Sequence, residues 1–181
     1  IMDEGLRLEA LARKLMDLIV LNKQDFVLEE LPADELLQNI ADTLKPMFAK
    51  EKIEFRLEAA KSYLKIDYDL FKTLLLNVID NAVKAGSTEI ILTGETTQKH
   101  YDVKVSDNGC GIPADKVDRI TESFYMVDKA RSRRQHGVGL GLALATKIAE
   151  IHGSCLKFKS APGKGTTVSL SLPLKGCGAN E

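Results

Sequence analysis

Between Asp67 and Gly86 the sequence spells a single helix with two faces of opposite chemistry. Asp67 is a side-chain acceptor in N-cap position, the helix runs from about Tyr68 to Ala85, and Gly86 supplies the stop. Phe71, Leu74, Leu75, Val78 and Ala82 recur at spacings of three and four, an apolar stripe that has to be covered. Asn77, Asn81 and Lys84 stand at i, i+4 and i+7 on another face. A polar row of this kind reads first as a solvated surface. Two carboxamides and an ammonium in line are also suited to hold a metal-bound polyphosphate. A carboxamide oxygen is a hard, neutral ligand for Mg²⁺, and a lysine one turn on neutralises phosphate oxygens.

What covers the stripe is read from its neighbours. Leu36, Leu37, Ile40, Leu44 and Phe48 predict a helix beginning at Pro32. Ile53, Phe55 and Leu57 alternate with charged residues, and Leu64 and Ile66 alternate with Tyr63 and Lys65, so two short half-buried strands follow. Further strands are expected over Glu89–Thr93 and His100–Ser106, then a helix over about Leu140 to Ile151. A hairpin of Ser154–Ser160 and Thr166–Leu172 closes the chain, turning at Pro162-Gly163-Lys164-Gly165. Adjacent strands without regular βαβ alternation predict an α/β fold, a two-layer sandwich with a mixed sheet and helices on one face. Ahead of this, Leu8, Leu11, Leu15 and Leu18 form a narrow amphipathic helical seam, and the residues after Leu174 read as a frayed tail.

Composition removes several function classes. The net charge of -1 and pI near 6.4 give no basic excess for nucleic acid. No apolar run approaches the roughly 18 residues of a membrane span, and Ile1–Gly5 do not lead from a basic into an apolar segment, so neither a membrane contact nor an export signal is expected. Cys110, Cys155 and Cys177 have no metal-like spacing, and a reduced cytosolic setting is expected.

Three further elements carry chemistry. Asp107-Asn-Gly-Cys-Gly-Ile-Pro113 follows a strand, and its glycines allow tight turns and close backbone approach. A carboxylate there is placed to accept from the exocyclic amine of adenine, and guanine would present a repelling carbonyl instead. The same residues also fit a plain turn. Gly137-Val-Gly-Leu-Gly-Leu142 opens a helix, where exposed N–H groups cradle phosphates. It is no dinucleotide fingerprint, because the third glycine falls at Leu142 and no strand precedes it, and there is no P-loop. The stretch Asp107–Gln135 is too long for a bland connector. It holds Phe124, Tyr125, Lys129, Arg131, Arg133 and Arg134, a basic loop that suits a lid.

In this order and spacing the four elements resemble the N, G1, F and G2 boxes of the GHKL ATPase superfamily, over roughly Asp67 to Leu172. The resemblance implies the Bergerat ATP-binding fold, with ATP and Mg²⁺ bound. It makes Asn81 the Mg²⁺ ligand, puts Asn77 and Lys84 among the catalytic groups beside the phosphates, and gives the adenine amine to Asp107. Gly109, Gly111 and Ile112 would shape the base pocket, with Thr166 near it. Phe124, Lys129 and Arg131 would belong to the lid. The backbone of Gly137, Val138, Gly139, Leu140, Gly141 and Leu142 would hold the phosphates.

Hydrolytic members carry a glutamate at the position of Asn77, as a general base for water. An amide cannot take that proton, so the resemblance points to the histidine-kinase branch and to phosphoryl transfer onto a side chain. Ser123-Phe-Tyr-Met-Val-Asp-Lys-Ala-Arg131 also resembles that branch's F box. An ATP-hydrolysing clamp and a nucleotide-binding regulatory module without kinase activity are the rival readings. Three positions depart from the family pattern: Ala85 where an aromatic is usual, Met126 for arginine, and His136 for the first glycine. None of His100, His136 and His152 is followed by Glu or Asp, so no phosphoacceptor is expected here, and His152 reads as a cap or packing residue at its helix end. By the same resemblance residues 1–22 end a dimerisation and phosphoacceptor helix, 23–174 form the ATP-binding domain and 175–181 a flexible tail. The partners implied are the parent kinase's dimerisation helices and a response regulator, in the cytoplasmic part of a membrane-anchored sensor.

Overall fold

The computed structural model describes residues 12, 26–123, 125 and 139–174. The seam Leu8–Leu18 and the tail after Leu174 therefore lie outside the described residues, with Phe124, Lys129, Arg131, Gly137 and Val138.

In chain order the elements are β1 (Glu29–Pro32), α1 (Ala33–Glu51), β2 (Glu54–Ala59), β3 (Tyr63–Ile66), α2 (Tyr68–Lys84), β4 (Glu89–Thr96), β5 (His100–Asp107), α3 (Ala114–Val117), α4 (Gly141–Ile151), β6 (Lys157–Ser160) and β7 (Thr166–Pro173). Five strands form one mixed sheet in the order β2-β4-β5-β7-β6. Only the β2–β4 pair is parallel, and the others are antiparallel. One row across the sheet runs Leu57, Leu92, Val105, Val168 and Phe158, and its neighbour holds Val103 and Leu170. These side chains meet the apolar stripes of α1, α2 and α4 in one continuous core. The opposite face carries Thr93, Lys104, Ser106, Thr167 and Ser169. The expected two-layer sandwich is therefore present, with its helices on one face.

The α2 stripe is buried as its spacing required, joined by Ile79 and by the polar Asn77. Asp67 caps the helix, accepting from the Leu70 N–H at 3.0 Å. Two local expectations fail. Pro32 does not open α1: it ends β1 in extended conformation, and the helix starts at Ala33 with no side-chain cap. Strand β1 itself, Glu-Glu-Leu-Pro, has no alternation to give it away, and exists because β3 pairs with it as a separate two-stranded sheet.

His152 ends α4 and ties it to α2. Its Nε2 accepts from the Asp67 backbone N–H at 3.1 Å, so the ring hydrogen sits on Nδ1 and is donated to the Ile148 carbonyl at 2.8 Å. The ring also meets Phe71 edge to face at 6.0 Å. This fulfils the cap-and-packing expectation for His152 and joins the C-terminus of α4 to the N-terminus of α2. Replacing His152 with phenylalanine keeps the ring and removes the acceptor, stranding a part-buried N–H. The expected cost is about 1–3 kcal/mol of unfolding free energy, read from denaturant midpoints. An unchanged midpoint would refute the tie.

Candidate functional site

The two helices that carry the residues expected beside the phosphates pack together with the N-terminus of α2 against the C-terminus of α4, so they run antiparallel. The 11 residues of α4 span about 16 Å. The same distance along α2 from Asp67 reaches Val78, which lies between Asn77 and Asn81. Helices of these lengths, packed antiparallel, set the N-terminus of α4 level with the two carboxamides.

On α2, Asn77 is 8% exposed and its Nδ2 donates to the Thr73 carbonyl at 2.8 Å. The Asn81 Nδ2 donates to the Asn77 carbonyl at 2.9 Å, which turns the carboxamide so that its oxygen is the atom left for a cation. Lys84, at i+7 of this row, has a partner within its own helix. Its Nζ lies 2.6 Å from Asp80 Oδ2, an i,i+4 pair in which both side chains are partly exposed. A phosphate would have to share the ammonium with that carboxylate.

At the mouth of α4 the described part of the glycine run is Gly139, Leu140, Gly141 and Leu142. Gly139 takes φ 72°, a conformation that a side chain resists. Leu140 is the N-cap residue and offers no side-chain acceptor, and the first turn holds no acidic residue. The helix end is therefore suited to an external anion.

The third corner is built where β5, β7 and the end of α2 converge. Asp107 Oδ1 accepts from the Gly109 N–H at 2.8 Å and lies 3.1 Å from the Ser87 hydroxyl. Burial raises the Asp107 carboxyl above its usual range, while the Gly109 N–H, the Ser87 hydroxyl and the Thr166 N–H pull the other way. Gly109 has no room for a side chain: a Cβ would stand 2.7 Å from the Ala85 Cβ, 2.7 Å from Ser87 Oγ and 2.9 Å from Asp107 Oδ1. Gly111 takes φ 66°, and a Cβ there would overlap the Ala161 carbonyl oxygen. Thr166 pairs with Asp107 across the ladder and is buried.

Three residues of this corner went unread in the sequence. Ser160 donates to the Gly165 carbonyl at 2.9 Å, lies 2.8 Å from Thr166 Oγ1 and accepts the Ile112 N–H at 2.8 Å. Ser160 thereby fastens the glycine loop to the closing hairpin. Asn108 accepts from the Thr88 and Glu89 N–H groups at 2.9 and 3.0 Å and donates to Thr88 Oγ1 at 2.9 Å. Ser87, also buried, links the end of α2 to Asp107. Only the Asp-Asn-Gly turn signal marked any of this, and it marked the turn without the staple.

Among the described residues no cluster of three His, Cys, Asp or Glu side chains is suited to a metal ion. Mg²⁺ keeps several waters and needs few protein oxygens when phosphates complete its shell, and the Asn81 carboxamide offers one such oxygen.

Comparison with known proteins shows the family and the fold. The family model for histidine kinase-, DNA gyrase B- and HSP90-like ATPases matches residues 66–176. The sensor histidine kinase WalK of Bacillus subtilis (strain 168) is 33% identical over 178 residues, which are 92% of this chain and 29% of WalK. The chain thus spans less than a third of that relative's length. The nucleotide-free catalytic domain of histidine kinase ThkA matches with TM-score 0.69 and 24% identity, covering 81% of this chain and 95% of that one. Full-length ShkA in complex with AMPPNP matches with TM-score 0.77 and 24% identity, covering 97% of this chain and 38% of ShkA. ThkA in complex with the response regulator protein TrrA gives TM-score 0.76 and 22% identity, over 93% and 48% of the two chains. At these identities the solved structures establish a common fold.

Proposed function

The chain belongs to the family of histidine kinase-, DNA gyrase B- and HSP90-like ATPases, and we propose that it is the ATP-binding catalytic domain of a sensor histidine kinase. In this reading it delivers the γ-phosphoryl group of ATP to a histidine on a dimerisation helix outside the chain. The observation that carries it is Asn77, a buried carboxamide at the position where the family resemblance puts the glutamate of hydrolytic members. An amide has no proton affinity near neutral pH, so no base stands there to activate water. What remains is positioning and charge stabilisation, the needs of phosphoryl transfer to a side chain.

The residues divide the work by chemistry. Asp107 accepts the adenine amine, with Gly109, Gly111, Ile112 and Thr166 as the walls of the base pocket. The N–H groups at the opening of α4, from Gly139 to Leu142, hold the phosphates, and the resemblance assigns Gly137 and Val138 to the same task. Phe124, Lys129 and Arg131 belong to the lid. Asn81 would hold Mg²⁺, which would neutralise charge on the phosphates. Asn77 keeps its end of the site unreactive to water, and Lys84 exchanges Asp80 for phosphate. The partners of the parent protein would be its dimerisation helices and a response regulator, with this part of it in the cytoplasm. No described helix is long and apolar enough to cross a membrane.

Titration calorimetry tests this with a non-hydrolysable ATP analogue, with and without Mg²⁺, and with the GTP analogue as control. Binding that prefers adenine and strengthens with Mg²⁺ is expected. No binding at millimolar nucleotide would sink the reading. Steady hydrolysis of ATP that disappears in Asn77→Ala would transfer the domain to the hydrolytic clamps.

A further inference from the structure

Ser87 is buried at the turn after α2, and its Oγ stands within hydrogen-bond distance of two acceptors. The Ala82 carbonyl lies at 2.7 Å and Asp107 Oδ1 at 3.1 Å. A hydroxyl has one hydrogen, so it cannot fully serve both. The Ala82 carbonyl has a second donor, the Ser87 backbone N–H at 3.4 Å. The carboxylate is the stronger acceptor when ionised, because a charge-assisted bond gains more than a neutral one. The hydroxyl is therefore shared between the helix carbonyl and Asp107, and ionisation of the carboxylate favours the bond to Asp107.

The consequence lies in the orientation of the carboxylate. Oδ1 receives the Gly109 N–H from one side and the Ser87 hydroxyl from the other. The Thr166 N–H also bonds the carboxylate, and Ser87 is the side-chain donor among the three, so its hydroxyl tightens an orientation that the two backbone groups set only in part. Gly109 supplies the space, since any Cβ there would press on Ser87 Oγ and Asp107 Oδ1 together. Resting on the ATP-binding reading, we propose that Ser87 is a specificity-determining residue of the base pocket, setting the orientation of Asp107 so that the carboxylate meets the exocyclic amine of adenine. It touches the base only through Asp107 and is in that sense a positioning residue. Because its hydroxyl also reaches the Ala82 carbonyl near the C-terminal end of α2, it registers the base-reading carboxylate against the helix that carries Asn81.

The test separates this role from mere packing. ATP analogue and purine riboside triphosphate, which lacks the amine, are titrated in the presence of Mg²⁺ into the whole chain and into Ser87→Ala. If Ser87 acts through the amine contact, Ser87→Ala weakens the ATP analogue about five- to tenfold. The amine-free nucleotide should then change by less than about twofold. In an Asp107→Asn background the serine substitution should add nothing further, because the groups of one network are not additive. Equal weakening of both nucleotides would make Ser87 a packing residue and overturn the proposal, as would no weakening of either. If the unsubstituted chain binds neither nucleotide, the ATP-binding reading fails first and takes this one with it.

Discussion

Asp107→Asn is expected to cost the chain about ten- to a hundredfold in affinity for an ATP analogue while leaving it folded. The amide oxygen can still accept from the Gly109 N–H and Ser87, so local geometry survives. The other atom becomes an NH₂ group, and a donor then faces the donor amine of adenine. Loss of a charge-assisted bond and a repelling pair together are worth about 1.5–3 kcal/mol. Stability should move the opposite way. Burial holds the folded-state carboxyl above its ordinary value, so the folded chain binds that proton more tightly than the unfolded one. The contribution is complete below the unfolded value and is lost as pH rises through the folded one. At neutral pH ionised Asp107 is thus a cost to folding that asparagine removes. The melting temperature of Asp107→Asn should equal or exceed that of the unsubstituted chain at pH 7, with any gap closing in acid. Unchanged nucleotide affinity would refute the assignment of Asp107.

Gly165→Ala should be the more damaging change to the fold. Gly165 takes φ 76°, and a Cβ would overlap the Asp107 carbonyl oxygen and stand 2.9 Å from the Asn108 Cα. The left-handed conformation and the overlap together cost about 3 kcal/mol. All the atoms in the way are backbone, so no side chain can rotate to relieve them. The substitution must push the hairpin away from the end of β5, and nucleotide affinity should fall with stability. Thermal unfolding of the purified variant measures the first effect and calorimetry the second. A variant as stable as its parent would show that the hairpin does not lie against Asp107.

The sequence was most legible where an element carries its own instructions. Helix α2 has its capping acceptor at Asp67 and its apolar stripe within one stretch, and β5 alternates Tyr101, Val103 and Val105 into the core. The same locality made Asn77 and Asn81 visible as neighbours. Strand β1 was not legible because its only reason to be extended is β3, more than thirty residues on. Ser87 and Ser160 were missed for the same cause: their partners stand 20 and 48 residues away in the chain, at Asp107 and Ile112. Lys84 was legible in its position, while its partner Asp80, an ordinary i,i+4 neighbour one turn earlier, went unnamed.

The bond between His152 and Asp67 makes the two packed helices a pair of tweezers. They are riveted at the end away from the carboxamides, through one buried imidazole that bonds a backbone group on each arm. The tips are Asn81 on one arm and the opening turn of α4 on the other. In the proposed reading a triphosphate with its cation would lie between these tips, at the end of the pair opposite the rivet.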